Sequence, residues 1–191
     1  MQNRRRDASR AAFRKSSVSP APATLIKQTI DTQQAVRKHP IFNDKYEITT
    51  SLGHGKTSKV YLANEIGKPE STVAIKIFRE EYLLEAEENV HCIEQEIEIL
   101  RGLKHNHIVS ILDYGSEGLV VKPSGRKIQN LVYIIMQHIK GNIFFETCEK
   151  LGAMGEDAGR FFMHQLIDGI EYMHKKGVVH RDLKLENILI D

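Results

Sequence analysis

The hydrophobic periodicity of this chain changes along its length, and that change constrains the fold more than any other feature. Up to residue 139 the apolar residues form short strand-like runs, interrupted by one segment of helical period at residues 85–103. After Gly141 the period is helical, and Gly177 is the predicted end of the last helix. Strands with one helix, followed by helices, predict an α+β lobe and the first part of a helical lobe. The predicted strands are residues 47–52, 59–63, 72–78, 108–114 and 131–139. The predicted domain organisation is a tail at residues 1–45, an α+β lobe at 46–139 and a helical part at 140–191.

The composition excludes several classes of protein. With 27 Lys and Arg against 25 Asp and Glu, the net charge of +2 is low for a protein that binds nucleic acid, so we expect no such partner. The longest apolar run, residues 131–136, is shorter than the ~18 residues that span a bilayer, so we expect no membrane partner. Cys92 and Cys148 fit neither a disulfide framework nor a metal cluster. These features favour a soluble protein of the cytoplasm, with the nucleus as the alternative.

The positive charge is concentrated in residues 1–45, which we predict to be a mostly disordered tail. Residues 1–40 carry a net charge of +7, whereas the rest of the chain carries −5. The first 24 residues hold few large apolar groups and cannot offset the entropy cost of ordering. Ser9 and Ser17 stand shortly after arginines and are candidate sites of regulatory phosphorylation. A mitochondrial transit peptide and a docking patch for acidic surfaces are less favoured readings of this tail.

Two glycines at i and i+2 stand where the first two predicted strands meet, in the segment Leu52-Gly-His-Gly-Lys-Thr-Ser-Lys-Val60. Without Cβ atoms, a backbone at Gly53 and Gly55 can approach phosphate oxygens closely. A plain hairpin turn is the alternative, since the motif is weak alone. A Walker A loop is excluded, because Thr50 stands where that loop needs a glycine and a strand follows where it needs a helix.

A lysine and a glutamate in apolar surroundings form a predicted ion pair. Lys76 ends the apolar run Val-Ala-Ile-Lys, where a buried ammonium is costly unless an anion compensates it. On a helical projection of residues 85–103, Glu96 falls within the apolar face. We therefore predict that Glu96 is the partner of Lys76. For Lys76 taken alone, the alternative is a lysine on the solvent-exposed face of a strand. The predicted apolar face comprises Ile93, Ile97, Ile99, Leu100 and Leu103.

The third candidate site is the string His180-Arg-Asp-Leu-Lys-Leu-Glu-Asn187, which follows a predicted helix. The Asp182 carboxylate can accept a hydroxyl proton, and the Lys184 ammonium can stabilise a phosphoryl group in transfer. The amide oxygen of Asn187 can hold a divalent cation. A charged surface loop is a possible reading of each residue alone, but not of the whole string.

These three motifs, in this order, resemble those of the eukaryotic protein kinases, and the resemblance covers residues 46–191. It implies a bilobal kinase fold with a complete N-terminal lobe, a five-stranded antiparallel sheet plus helix C, and the first part of a helical C-terminal lobe. ATP and Mg²⁺ are the implied cofactors, and a protein serine or threonine hydroxyl is the implied substrate. Lys184, two residues after Asp182, is typical of serine/threonine kinases, and the string is most similar to the calmodulin-dependent and AMP-activated group.

The resemblance also assigns roles to individual residues. Asp182 is the implied base that accepts the proton of the substrate hydroxyl. Lys184 is implied to stabilise the phosphoryl group in transfer, and Asn187 is implied to be a magnesium ligand. Ile134 is the implied gatekeeper, beside a hinge at Gln137 and His138. The other implied ATP-binding residues are Leu52, Gly53, Gly55 and Ser58 of the glycine loop, Val60, Ala74 and Leu189 around the adenine, and the pair Lys76 and Glu96.

The sequence departs from the kinase pattern at several points. Ser58 replaces the third glycine of the loop, and Asn142 and Ile143 stand where many basophilic members carry Gly-Glu. Residues 116–129 form a longer basic link than usual between two of the predicted strands. His105 and His107 match the family's turn after helix C better than a metal site.

The chain stops at Asp191, before the position of the D-F-G metal ligand of the family. Because phosphoryl transfer depends on bound magnesium, we expect a truncated kinase with little or no activity alone. The alternative is a non-catalytic short form that binds nucleotide or a partner kinase. A small-molecule phosphotransferase of related fold is less favoured, because of Lys184 and the glycine loop.

Overall fold

The computed structural model describes residues 38–191. The predictions for the basic tail, including phosphorylation at Ser9 and Ser17, fall on residues outside the described range. Within residues 38–191, no helix is long and apolar enough to cross a membrane. The strands are β1 Ile41–Phe42, β2 Tyr46–His54, β3 Ser58–Glu65, β4 Lys68–Phe78, β5 Ile111–Val121 and β6 Lys127–Gln137. The helices are α1 Glu80–Glu85, α2 Glu87–Arg101, α3 Phe144–Leu151 and α4 Glu156–Lys175, followed by a 3-10 turn at Leu185–Asn187.

The six strands form a closed antiparallel barrel in the order β1-β2-β3-β4-β6-β5. The prediction of a five-stranded sheet is therefore wrong in detail, because β1 pairs with both β2 and β5 and closes the barrel. Strand β1 has only two residues, too few to show a period of two in the sequence. Asn43, in the turn after β1, joins the closure: its side-chain oxygen accepts a hydrogen bond from the Leu119 backbone N–H at 2.7 Å. Strand β1 thus precedes Tyr46, the residue at which the sequence pattern places the first structured position.

Strands β5 and β6 form a long hairpin that the sequence pattern underestimates. Most of residues 116–129, predicted to be a link, belongs to the two strands, and only residues 122–126 turn. Gly115 and Gly118 interrupt the alternating pattern, and a Cβ atom at either would meet the ring of Tyr133 on the neighbouring strand. The glycines therefore make room for a core side chain, although they look like turn signals in the sequence.

The apolar residues form two cores on opposite faces of the sheet. Inside the barrel lie Phe42, Ile75 and Tyr133, with the rings of Phe42 and Tyr133 edge to face at 4.9 Å between centroids. On the outer face, helix α2 packs its buried side chains against the sheet, where Ile134 is fully buried. This outer core comprises Phe78, Ile93, Ile97 and Ile134.

The buried stripe of α2 is narrower than its helical projection predicts. Ile99, predicted on the apolar face, is 45% exposed, because it lies at the edge of the stripe centred on Ile93 and Ile97. Glu96 also lies at the margin of the stripe, with its side chain 43% exposed. This position leaves its carboxylate open to one side.

Helices α3 and α4 follow the barrel and contact each other through Phe144 and Phe162, whose ring centroids are 5.3 Å apart. Gly177 has φ of 73°, and its backbone N–H donates to the His174 carbonyl at 2.9 Å, so the predicted stop signal of α4 is confirmed. After the 3-10 turn, the Ile190 N–H donates to the Asn142 carbonyl at 2.9 Å. This bond ties the C-terminal segment to the segment that leaves β6.

Candidate active site

The glycine loop joins β2 to β3 and is open on its outer side. The turn at residues 55–58 is closed by a hydrogen bond from the Gly55 N–H to the Ser58 carbonyl at 2.9 Å. A Cβ atom at Gly53 or Gly55 would meet no protein atom within 4 Å. Packing within the described residues therefore does not account for glycine at these positions, whereas a ligand lying against the backbone would. Of the other predicted loop residues, Leu52 is exposed and Ser58 is buried.

The structure brings Lys76 and Glu96 together. Lys76 Nζ donates to Glu96 Oε1 at 2.8 Å, which joins strand β4 to helix α2. The ammonium also lies 4.9 Å from the ring centroid of Phe78, two residues along the same strand. The Lys76 side chain is 21% exposed, so the ion pair is only partly desolvated and accessible from one side. A second anion, such as a phosphate, can therefore approach the ammonium without breaking the protein contact.

One face of the sheet carries apolar residues next to this ion pair. Ala74 and Lys76 share a face because residues two apart on a strand point the same way. In the strand register, Lys76 is paired with Val60 on one side and with Ile134 on the other. Val60, Ala74 and Ile134 thus lie beside a charged group on one face of the sheet. Val60 is half-buried, whereas Ala74 is buried and Ile134 is fully buried in the outer core, so a ligand with a flat apolar part and an anionic part would meet Val60 and the edge of Ala74.

The predicted hinge residues lie at the end of β6. The Gln137 backbone N–H donates to the Ser110 carbonyl at 2.9 Å, and the Gln137 side chain is exposed. His138 Nδ1 shares a hydrogen bond of 3.0 Å with the Thr72 hydroxyl of β4. These contacts hold the chain leaving the barrel in a defined path.

The loop from His180 to Asn187 gathers three of the predicted catalytic residues. Lys184 Nζ lies 3.0 Å from Asp182 Oδ2, and Asn187 Nδ2 donates to the same oxygen at 2.9 Å. Asn187 Nδ2 also donates to the Asp182 backbone carbonyl at 2.8 Å. Arg181 has φ of 64°, an uncommon value for a residue with a side chain, in the turn that presents Asp182.

Two hydrogen bonds to its carboxylate, from Lys184 first and from Asn187 second, lower the pKa of Asp182 below its usual range. The carboxylate is therefore ionised at neutral pH and can accept a proton. Both hydrogen bonds of Asn187 use Nδ2, so its amide oxygen faces no competition from them. An oxygen of this kind is a suitable ligand for Mg²⁺, and the chemistry of Asn187 and Asp182 fits that cation.

Leu189 lies on the segment after this loop, where it forms an isolated bridge with Ile143. Its side chain is exposed, and its role at the adenine stays a prediction. The close approach of this segment to Gly141 could not be predicted from the sequence. A Cβ atom at Gly141 would overlap the Ile190 carbonyl oxygen, so glycine is required there by the neighbouring backbone.

The histidines after helix α2 have protein partners. His105 Nδ1 accepts a hydrogen bond from the His107 backbone N–H at 3.2 Å, so the proton of the neutral ring is on Nε2. That nitrogen lies 3.4 Å from Asp168 Oδ2, and the ring stacks on Tyr172 at 4.8 Å between centroids. This arrangement uses His105 to attach the turn to α4, which agrees with the structural role that the sequence favours.

Comparison with known proteins places these observations in a family. Residues 46–191 match the protein kinase domain family. The chain is 40% identical over 151 residues to CBL-interacting serine/threonine-protein kinase 13 of Arabidopsis thaliana, covering 79% of this chain and 27% of that protein. It is 38% identical over 154 residues to CBL-interacting protein kinase 26 of Oryza sativa subsp. japonica, covering 81% of this chain and 28% of that protein.

The chain thus spans less than a third of the length of these two curated relatives. The family predicted from the three motifs is confirmed, as is its serine/threonine class. The chain belongs to the protein kinase domain family, among the serine/threonine kinases.

Proposed function

We propose that residues 46–191 bind Mg-ATP and take part in transfer of its γ-phosphoryl group to a serine or threonine hydroxyl of a protein. The observation that carries this proposal is the Lys76–Glu96 ion pair at 2.8 Å, next to an apolar face and an open glycine loop. The ATP adenine would lie against Val60 and Ala74, and the phosphates would lie between Lys76 and the loop. Ile134, which is fully buried, would support this face from the core.

The glutamate has a positioning role in this proposal. Glu96 holds the ammonium of Lys76 in one orientation. Less side-chain conformational entropy is therefore lost when a phosphate binds to this ammonium. Because Lys76 Nζ has three N–H donors and Glu96 takes one of them, the remaining donors are available to phosphate oxygens.

Asp182 is the proposed acceptor of the substrate proton. In the transfer, a bond forms between the substrate oxygen and the γ-phosphorus, the bond from that phosphorus to the bridging oxygen breaks, and ADP leaves. The hydroxyl proton passes to the ionised Asp182 carboxylate. Lys184 lies beside that carboxylate, where its ammonium can stabilise negative charge on the transferring group.

Magnesium is the second proposed cofactor, and when bound it neutralises phosphate charge. Asn187 would hold it through the amide oxygen that its hydrogen bonds to Asp182 leave available. The two Nδ2 bonds fix the rotation of the amide, so the oxygen is presented on one side only.

A thermal-shift titration of the 191-residue chain with Mg-ATP tests the nucleotide-binding part of the proposal. A ligand that binds only the native state stabilises it by about 2.7 kcal/mol at a hundredfold excess over Kd. We expect Mg-ATP to raise the melting temperature of the wild type and of Lys175→Met, and to have little effect on Lys76→Met. Lys175 is a matched control, since it pairs with Glu171 at 2.8 Å on the exposed surface of α4. Equal shifts in all three proteins would contradict the role of Lys76.

A further inference from the structure

Arg79 makes two hydrogen bonds to the glycine loop. Its backbone N–H donates to the Thr57 carbonyl at 2.9 Å, and its side-chain Nε donates to the Gly55 carbonyl at 3.0 Å. Both acceptors belong to the turn at residues 55–58. The tip of the loop is thus attached by one residue to the end of β4.

The same residue is continuous with the elements that hold the ion pair. Arg79 directly follows β4, which carries Lys76, and directly precedes α1. Its carbonyl accepts a hydrogen bond from the Leu83 N–H at 3.2 Å, in the first turn of that helix. Arg79 therefore connects the loop to the strand of the lysine and to the helical segment that leads to Glu96.

The side-chain bond is the part of this attachment that a substitution can remove, because the bonds from the Gly55 N–H to Ser58 and from the Arg79 N–H to Thr57 are between backbone atoms. The side chains of His54 and Lys56 at the tip are exposed, and the space beside Gly55 is open. A hydrogen bond from a charged donor is stronger than one between neutral groups.

We propose that Arg79 is a positioning residue that fixes the tip of the glycine loop for contact with nucleotide phosphates. The expected effect on nucleotide binding rests on the proposed function, whereas the attachment of the loop by Arg79 can be measured without nucleotide. If the loop is held in advance, less conformational entropy is lost when phosphates bind. Loss of the Arg79 side chain should therefore weaken ligands with phosphates and spare adenosine.

The test compares the wild-type chain with Arg79→Met, Arg79→Lys and Arg160→Met. Arg160→Met is the matched control, since Arg160 is an exposed arginine of α4 that pairs with Glu156. For each protein, two quantities are measured: amide hydrogen exchange of peptides covering residues 52–60 without ligand, and the dissociation constants of Mg-ATP and adenosine. Thermal melts establish that each variant is folded.

We expect Arg79→Met to exchange faster at residues 55–58 and to bind Mg-ATP about five- to tenfold more weakly, with adenosine changed less than about twofold. Arg79→Lys, which keeps the charge and a donor, should recover part of both effects, and Arg160→Met should behave as the wild type. Unchanged exchange in the loop, or equal weakening of Mg-ATP and adenosine, would overturn the proposal.

The outcome also separates this inference from the proposed function. If the wild type binds no nucleotide, the proposed function fails. The hydrogen-exchange data alone then test whether the Arg79 side chain holds the glycine loop. Faster exchange confined to the loop in Arg79→Met would then support this attachment, and exchange equal to that of the wild type would overturn it.

Discussion

At the scale of single residues, the ionisation of Asp182 is set by its own loop. Lys184 makes the larger contribution and Asn187 the smaller one, and both lower the pKa of the carboxyl. A folded-state pKa below the unfolded value stabilises the native state above the unfolded pKa. That contribution is lost as the pH falls through the folded pKa.

We expect Lys184→Met to raise the pKa of Asp182 towards its ordinary value, and Asn187→Ala to raise it less. Carbon-13 NMR titration of the Asp182 carboxyl measures both changes. Lys150→Met is the control, because Lys150 is an exposed lysine whose carboxylate partner, at 3.7 Å, is Glu146 on α3. A larger effect from Asn187 than from Lys184 would contradict the account.

Gly141 offers a second prediction at this scale. Gly141→Ala places a Cβ atom onto the Ile190 carbonyl oxygen, so the two backbone segments must separate, at a cost of roughly 1–3 kcal/mol. Gly159→Ala is a matched control, since it lies in α4 with open space around it and should stabilise the chain by roughly 0.5–1 kcal/mol. Chemical denaturation measures both, and similar effects of the two substitutions would contradict the close approach.

At the scale of elements, closure of the barrel depends on β1. Phe42 is fully buried and packs against Tyr133, so Phe42→Ala should cost about 3–5 kcal/mol of unfolding free energy. The control is Leu112→Ala on β5, where the side chain is 57% exposed and the expected cost is below about 0.5 kcal/mol. Denaturant unfolding distinguishes the two. A cost for Phe42→Ala as small as that of the control would mean that β1 is dispensable to the barrel.

Some of the helices and strands can be predicted from the periodicity of the sequence, and others cannot. The order of strands β2–β6 and helix α2 and the approach of Lys76 to Glu96 follow from periodicity, because long apolar stripes reflect burial directly. The short helix α1 does not follow from it, since the sequence predicts a single helix at residues 85–103. Strand β1 cannot be predicted in this way, because two residues are too few to show a period. Gly115 and Gly118 lie within β5, and glycines at these positions interrupt the alternation by which a strand is recognised.

Contacts between distant segments are the part of the site that periodicity does not predict. Arg79 bonds to the glycine loop across 24 positions of sequence, and Gly141 meets Ile190 through backbone atoms alone. The spacing of residues along the chain predicts neither contact, since both depend on how the segments pack in three dimensions.

At the scale of the whole molecule, the candidate active site draws on both parts of the folded unit at residues 38–191. The barrel and α2 supply Lys76 and Glu96, and the loop after α4 supplies Asp182 and Asn187. The two parts are joined where the Lys104 N–H donates to the Tyr172 hydroxyl at 3.1 Å. In the proposed function, the phosphates of ATP lie beside Lys76.

The most direct measurement of that arrangement is covalent labelling by an acyl phosphate of ATP. An amine beside the phosphates attacks the acyl carbon, an amide forms at the lysine, and ATP leaves. We predict that mass spectrometry of the labelled chain finds the acyl group mainly on Lys76 and that excess Mg-ATP suppresses it. Labelling spread over surface lysines and insensitive to Mg-ATP, with Lys76 unmodified, would contradict the account.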